Sequence, residues 1–329
     1  MSSKKSKTGQ TGSSELGIVG DVGATKTLLG LVALYRTRPK LLLVRRYPSK
    51  RLRSLAGPVK ALLKESARYG RLPREACIAA AGPVLRPGFV RLTNLPTLAI
   101  SGSALSAATG LKVKLVNDLA ASIAALPLLG RDDFIVLRKG RAATIARPAL
   151  MLAPGTGLGV ALALDDRVLS SEAGHALLAA RDTREWTILT KLRKTLKRKQ
   201  LDLERGLSGP GLVAIYRALG GRTLKRSEKI VAAASRQKLC DKALSIFCGL
   251  YGSFTRDLVF VTLSRAVWLA GFSSALFPWL GRDFLANFYS CDRAGEILKK
   301  VGIYVITNPE LALLGAARLL WQKKGRAMT

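Results

Sequence analysis

Residues 152–175 read LAPGTGLGVALALDDRVLSSEAGH. An apolar run breaks into a loop with Gly155, Gly157 and Gly159 around Thr156, a second apolar run follows, and the stretch ends on Glu172 and His175. A strand that opens into glycine-rich backbone can set bare N–H groups against phosphate oxygens, because no Cβ stands in the way. His175 is the single histidine of the chain, so any imidazole chemistry falls to it. The stretch taken alone fits equally well a tight strand turn followed by a hydrogen-bonded structural histidine.

The flanking sequence sets this stretch in an α/β context. FIVL (134–137), ALMLA (149–153) and GVALAL (159–164) read as strands. A helix is expected from about Glu185 to Lys199 with Trp186, Leu189, Leu192 and Leu196 inward; its other face carries Lys191, Arg193, Lys194, Lys197, Arg198 and Lys199. Pro210 at a helix start and Gly220-Gly221 past its end predict a short helix over 210–219. Apolar spacing from Leu239 to Leu258 predicts a longer, largely buried helix, and AVWLAG (266–271) and GIYVI (302–306) read as strands before a final helix at about 310–322. Upstream, LGIVG (16–20), TLLGLVAL (27–34) and KLLLVRRY (40–47) predict an antiparallel meander. A helix follows from about Pro58 to Tyr69, with buried strands at CIAAAG (77–82) and KVKLV (112–116). The chain thus divides into two α/β halves with similar parts.

Composition narrows the class. The 329 residues are 48% hydrophobic, enough for one large or two ordinary cores, but 54 Lys+Arg against 21 Asp+Glu leave a formal net charge of +33. Such a surface attracts polyanions, yet the charge is spread along the chain and no RNA-recognition or zinc-finger signature accompanies it. Cys77, Cys240, Cys248 and Cys291 form no CxxC, so reduced cytosolic thiols are expected rather than a metal set. The first 15 residues read as a disordered basic tail without a signal-peptide run, and the most membrane-like window, Val259 to Leu280, is interrupted by Arg265, Gly271 and Pro278. A cytoplasmic protein with no membrane span is expected.

Two further stretches carry candidate chemistry. GDVGATKT (20–27) comes near a phosphate-binding loop, but Thr25 stands where that motif requires its last glycine. Asp21 makes better sense beside a phosphate-bound Mg²⁺ than beside bare phosphate; a plain hairpin would accept the glycines but give Asp21 no task. In LVNDLAA (115–121), Asn117 and Asp118 fall at the carboxyl end of a predicted strand, where open α/β sheets place ligands. Asp118 can accept a proton from an attacking hydroxyl, or it can simply cap the helix beginning at Leu119.

GDVGATKT, TNLP (93–96), LVNDLAA, APGTGLGVA (153–161), SEAGH (171–175) and ERGLSGPGLVAIYRAL (204–219), in this order, resemble the bacterial-type glucokinases of the actin-like, hexokinase-fold ATPase superfamily. The resemblance runs from about Leu16 to Leu320. It implies a two-lobed, ribonuclease H-like α/β fold of mixed sheets and flanking helices with a cleft between lobes. The lobes expected are a small one over 16–127, joined by the C-terminal helix 311–329, and a large one over 128–310. It implies transfer of the ATP γ-phosphoryl group to the 6-hydroxyl of glucose with Mg²⁺. Asp118 would be the general base, with Asn117, Glu172, His175 and Glu204 on the sugar. Asp21, Gly23 and Thr25 match the first phosphate loop, Asp21 meeting Mg²⁺ through water; Gly155, Thr156 and Gly157 match the second, and Gly271 in AGF (270–272) belongs to the adenosine loop.

The chain departs from the family pattern at Ala24, Lys26, Thr97, Ala173 and, in the adenosine loop, at Phe272, where a glycine is usual and a side chain would crowd the nucleotide. The segment YGSFTRDLVFVTLS (251–264) also lacks glycines common there. It has no Cys-rich zinc motif of the kind a second glucokinase branch carries. Two alternatives follow from the charge and Phe272: polyphosphate as donor, or a catalytically weak, sugar-responsive protein binding nucleic acid or another polyanion. Homodimerisation is compatible with either.

Overall fold

The computed structural model describes residues 15–35, 38–82, 88–165, 167–291 and 293–322. The expected tail lies almost wholly outside them. The chain forms two compact units, one of residues through Leu128 together with those from Ala312, the other Leu129–Leu311.

The first unit is built on a five-stranded mixed sheet. Strands β1 (Glu15–Val22), β2 (Lys26–Leu34) and β3 (Pro39–Pro48) form the expected antiparallel meander; β4 (Glu75–Ala80) pairs parallel with β1, a two-stranded hairpin β5 (Phe89–Arg91) and β6 (Ala99–Ser101) lies apart, and β7 (Lys112–Asn117) pairs parallel with β4. Both faces are covered, which is why β1, β2 and β4 read as continuous apolar runs rather than alternating ones. Ile18, Leu29, Leu31 and Ile78 pack with Val59 and Leu62 of α1 (Ala56–Ser66) and Leu105 of α2 (Gly102–Thr109). On the other face Val19, Leu28, Val32 and Cys77 pack with Leu313, Ala316, Ala317, Leu320 and Trp321 of the C-terminal helix Leu311–Gln322. That helix is apolar on most of its surface because it is held by the sheet, by Trp321 Nε1 donating to the Tyr35 carbonyl, and by the close approach of Gly315 to Ala121 in α3 (Asp118–Ala124).

The second unit repeats the arrangement. Strands β9 (Ala149–Pro154), β10 (Leu158–Leu164) and β11 (Arg167–Ser171) form an antiparallel meander, and β12 (Ala266–Leu269) and β13 (Gly302–Ile306) continue the sheet in parallel from β9, with β8 (Phe134–Arg138) antiparallel on the far edge. Around it lie α4 (Thr183–Leu196), α5 (Leu203–Gly206), α6 (Gly209–Ala218), α7 (Ser227–Ala233) and α8 (Lys238–Thr262). Ser208 caps α6, accepting the Gly211 N–H at 3.1 Å, with Pro210 in its first turn. Among the described residues α8 alone is long and apolar enough to cross a membrane; 67% of its most apolar window is buried in this unit, as expected of a core helix.

One expectation fails on α4. The helix ends at Leu196, where Lys197 turns left-handed, and Trp186 faces outward, 56% exposed, with the Arg193 guanidinium 5.3 Å from its ring centre. The inward places go to Ile188, Leu189 and Leu192, with Glu185 beside them. Arg181 explains the exchange: it donates to the Glu185 carboxylate and to Ser253 and Asn287, so the carboxylate is buried as part of a hydrogen-bonded network and the indole is left outside.

Candidate functional site

The two expected phosphate loops are the corresponding hairpin turns of the two sheets, β1–β2 and β9–β10. In the first, the Gly23 N–H donates to the Lys26 carbonyl at 3.0 Å and closes the turn, so this amide is engaged by the hairpin itself. The turn is anchored from outside, where Ser49 donates its N–H to the Thr25 carbonyl at 3.2 Å and the buried hydroxyls of Thr27 and Ser49 bond at 2.9 Å.

Asp21 lies near the end of β1, paired with Leu28 on one side and Ala79 on the other. Burial is the main reason its carboxyl is pushed up to about 7; the Asp118 carboxylate adds to this, and Lys26 opposes it. The two aspartates are thus near enough for one to feel the other's charge, although nearly a hundred residues separate them. The cause is topology: β1, β4 and β7 run parallel, so their carboxyl ends, carrying Asp21, Ala80 and Asn117, emerge together.

Asn117, not Asp118, caps α3. Its Oδ1 accepts from the N–H groups of Leu119 at 2.9 Å and Ala120 at 3.1 Å, and its Nδ2 donates to the Gly82 carbonyl at 3.2 Å. One amide N–H of Asn117 is left for another partner. Asp118 is the first residue of the helix, held on a rigid element, and its Oδ1 also accepts the Leu119 N–H at 2.9 Å.

In the second unit the hairpin turn is closed by the Gly155 N–H on the Gly157 carbonyl, and the Gly155 carbonyl in turn accepts from the Gly209 N–H, both at 2.8 Å. Glu204 reaches under the turn, and its Oε2 accepts the Leu158 N–H at 3.0 Å. A Cβ at Gly157 would collide with that carboxylate, whereas at Gly155 it would meet open space, so the packing demands glycine at 157 and not at 155. Residues 176–178 pair with 201–203, where Leu178 donates to Leu201 and Leu203 to Ala176. This pairing brings His175 and Glu204 to one end of the unit. His175 lies with Nε2 3.8 Å from Glu172 and Nδ1 3.8 Å from Asp202. Sequence reasoning passed over Asp202, which also caps α5 by accepting the Arg205 N–H at 2.9 Å; its place two residues before Glu204 was the available signal.

A cavity of about 820 Å³ opens beside the second turn, walled by Gly155, Thr156, Pro210, Val213, Phe272 and, on α4, Thr195. Gly271, at φ 64°, presses against the Pro154 carbonyl so closely that any side chain would clash. Phe272, whose N–H donates to Pro154 at 3.0 Å, leans its ring on Phe247 of α8 with centres 5.7 Å apart. It therefore forms part of the wall. The motif at 204–219 supplied the α6 part of the lining, whereas no sequence motif marked the parts from α4 and α7. Among the described residues no cluster of three or more His, Cys, Asp or Glu is suited to a metal ion.

A family model described as Glucokinase matches residues 18–323. The chain belongs to the glucokinase family. A glucokinase of Yersinia pestis (strain Pestoides F) is 33% identical over 323 residues, covering 94% of this chain and 97% of the relative. Among solved structures, a glucokinase from an Antarctic psychrotroph superposes with a TM-score of 0.78 at 26% identity, covering 94% of this chain and 99% of its own. A Balamuthia mandrillaris glucokinase in complex with glucose does so with a TM-score of 0.74 at 20% identity, covering 94% of each chain, a likeness of fold alone. Membership makes the protein an enzyme of the ATP-dependent hexose-kinase class.

Proposed function

We propose that this glucokinase transfers the γ-phosphoryl group of ATP to the 6-hydroxyl of glucose, with Asp118 as the general base. The observation that carries the reading is the pairing of Asp118 with Asp21 at the carboxyl ends of parallel strands, one carboxylate on the helix start and one beside a phosphate-type turn. The order β3-β2-β1-β4-β7 of the first sheet recurs in the second as β11-β10-β9-β12-β13, with β8 added at the edge, and supports the actin-like ATPase assignment of the fold.

In this mechanism Asp118 accepts the hydroxyl proton as the sugar oxygen attacks phosphorus, the P–O bond to the leaving ADP breaks, and the proton ends on the carboxyl group. Glu172, His175 and Glu204 hold the remaining hydroxyls, and Asn117 offers its one unengaged N–H. In the second unit the turn of Gly155, Thr156 and Gly157 is the candidate for donor phosphates and the cavity beside Gly271 for the nucleoside; in the first unit the turn of Gly23 and Thr25 is the other candidate phosphate loop, although the Gly23 N–H is engaged within the hairpin. Asp21 suits Mg²⁺: a carboxyl group raised by burial and a neighbouring carboxylate would be returned to its anionic form by a cation, and Mg²⁺ is commonly held by one or two carboxylates plus phosphates and water. When bound, the ion would offset phosphate charge during transfer.

A coupled assay for glucose 6-phosphate tests the proposal. Turnover with MgATP and glucose, lost in a folded Asp118→Asn protein, is the expected result; no turnover by the folded wild type, or full activity of the variant, would overturn it.

A further inference from the structure

Apart from Thr195, which walls the cavity beside Phe272, the outer face of α4 has no part in the kinase reading. Six of the nine residues 191–199 are Lys or Arg, and no acidic residue occurs between Trp186 and Leu201. The two carboxylates at the start of the helix are already engaged, Asp182 capping the Glu185 N–H and Glu185 bound by Arg181. Among the described residues none of the six cations takes part in a salt bridge. Trp186 is exposed just ahead of them, and Arg193, two turns on, lies over its ring. Helical spacing puts Trp186, Arg193 and Lys194 along one side of α4 with Lys191 next to it, and Lys197, Arg198 and Lys199 follow directly past the helix end.

From this juxtaposition of an exposed indole, a stacked guanidinium and an uncompensated row of cations we infer that the outer face of α4 binds single-stranded nucleic acid. The cations would meet successive phosphates, and Trp186 would offer a base its π-face, with Arg193 reinforcing the stack. A membrane surface fits less well. The apolar residues Ile188, Leu189 and Leu192 are committed to the core, which leaves Trp186 as the one large exposed hydrophobic side chain on this helix among the described residues and no stripe to insert. A chain of inorganic phosphate would satisfy the cations but gives the indole nothing to stack on.

The full-length protein is titrated into a fluorescein-labelled 20-nucleotide single strand, followed by anisotropy across a salt series, alongside three variants. Trp186→Ala should weaken binding roughly tenfold and leave the melting temperature and sugar-kinase rate unchanged. The triple change Lys194→Ala, Lys197→Ala and Arg198→Ala should lower the slope of log affinity against log salt by about 2. The same loss of charge on α1's side of the first unit, Lys60→Ala, Lys64→Ala and Arg71→Ala, should leave affinity within about twofold. No binding at 150 mM salt, equal effects of the two triple variants, or unaltered affinity of Trp186→Ala with equal competition by inorganic polyphosphate would each overturn the inference.

Discussion

Glu204 accepts the N–H of Leu158 at 3.0 Å, so a residue assigned to the sugar also fixes the backbone of the turn assigned to phosphate. Gly157 is the space that permits this contact, since a Cβ there would stand against the carboxylate. Gly157→Ala should push the carboxylate aside and cost about 1–3 kcal/mol of stability, the usual range for losing a hydrogen bond to a charged group, together with a rise in the KM for glucose. Glu204→Gln retains an acceptor for Leu158 and should keep most of the stability while raising the same KM. Urea denaturation and initial rates on both variants separate the two effects.

Asp118 and Asn117 are adjacent but should fail differently. Asp118→Asn should lower kcat by roughly 10²–10⁴ with little change in melting temperature, as expected for loss of a general base. Asn117→Ala removes the acceptor for two helix N–H groups and should cost about 1 kcal/mol of stability, with Asn117→Ser recovering part of it. Circular dichroism melts beside kcat make the comparison.

Asp21 confers a pH dependence of defined sign. Its folded pKa of about 7 lies above the ordinary 3.8, so between those values the folded protein holds a proton that the unfolded chain has released. The contribution of this group to stability therefore falls as pH rises from about 4 to 7 and levels off above. Asp21→Asn cannot ionise and should be stabilised relative to wild type more at pH 8 than at pH 5. Paired urea titrations at the two pH values check this; a difference independent of pH would contradict it.

Gly271 sits at φ 64° against the Pro154 carbonyl. Gly271→Ala combines a left-handed backbone, about 1–2 kcal/mol for an L residue, with a direct clash, and the displaced loop should raise the KM for ATP more than that for glucose. Phe272→Ala strips a ring from the same wall and its packing on Phe247, and should destabilise by about 2–4 kcal/mol. Thermal melts and the two KM values distinguish strain in the loop from lost packing behind it.

Element type was legible wherever a continuous apolar run or a helical repeat met clear punctuation, as at LGIVG, CIAAAG and the Pro210 to Gly220 helix, because local backbone preference and burial agree there. Trp186 shows where that ends. Periodicity alone treats an indole as an inward residue, and only Arg181, four residues before Glu185 and itself held by the distant Ser253 and Asn287, makes Glu185 the buried one instead. The cavity beside Phe272 was legible only in part: Gly155, Thr156, Pro210 and Phe272 stand in recognisable motifs, but the walls from α4 and α7 have no local pattern that joins them to those motifs.

The sequence by itself determined which residues are the candidates for the proposed chemistry: Asp21, Asn117, Asp118, Glu172, His175, Glu204 and the two glycine turns stand in ordered motifs whose residue types and spacing are local properties. Tertiary structure decided what those residues do to one another. Parallel pairing of β1, β4 and β7 brings Asp21 within reach of Asp118's charge and shifts its proton affinity; the Gly82 carbonyl and the α3 amides claim Asn117; and the pairing of 176–178 with 201–203 sets Asp202 beside His175. Apart from the local α3 amides, each of these is a contact between residues distant in the chain. Its energy depends on distance and burial in the folded protein, which neither composition nor spacing encodes.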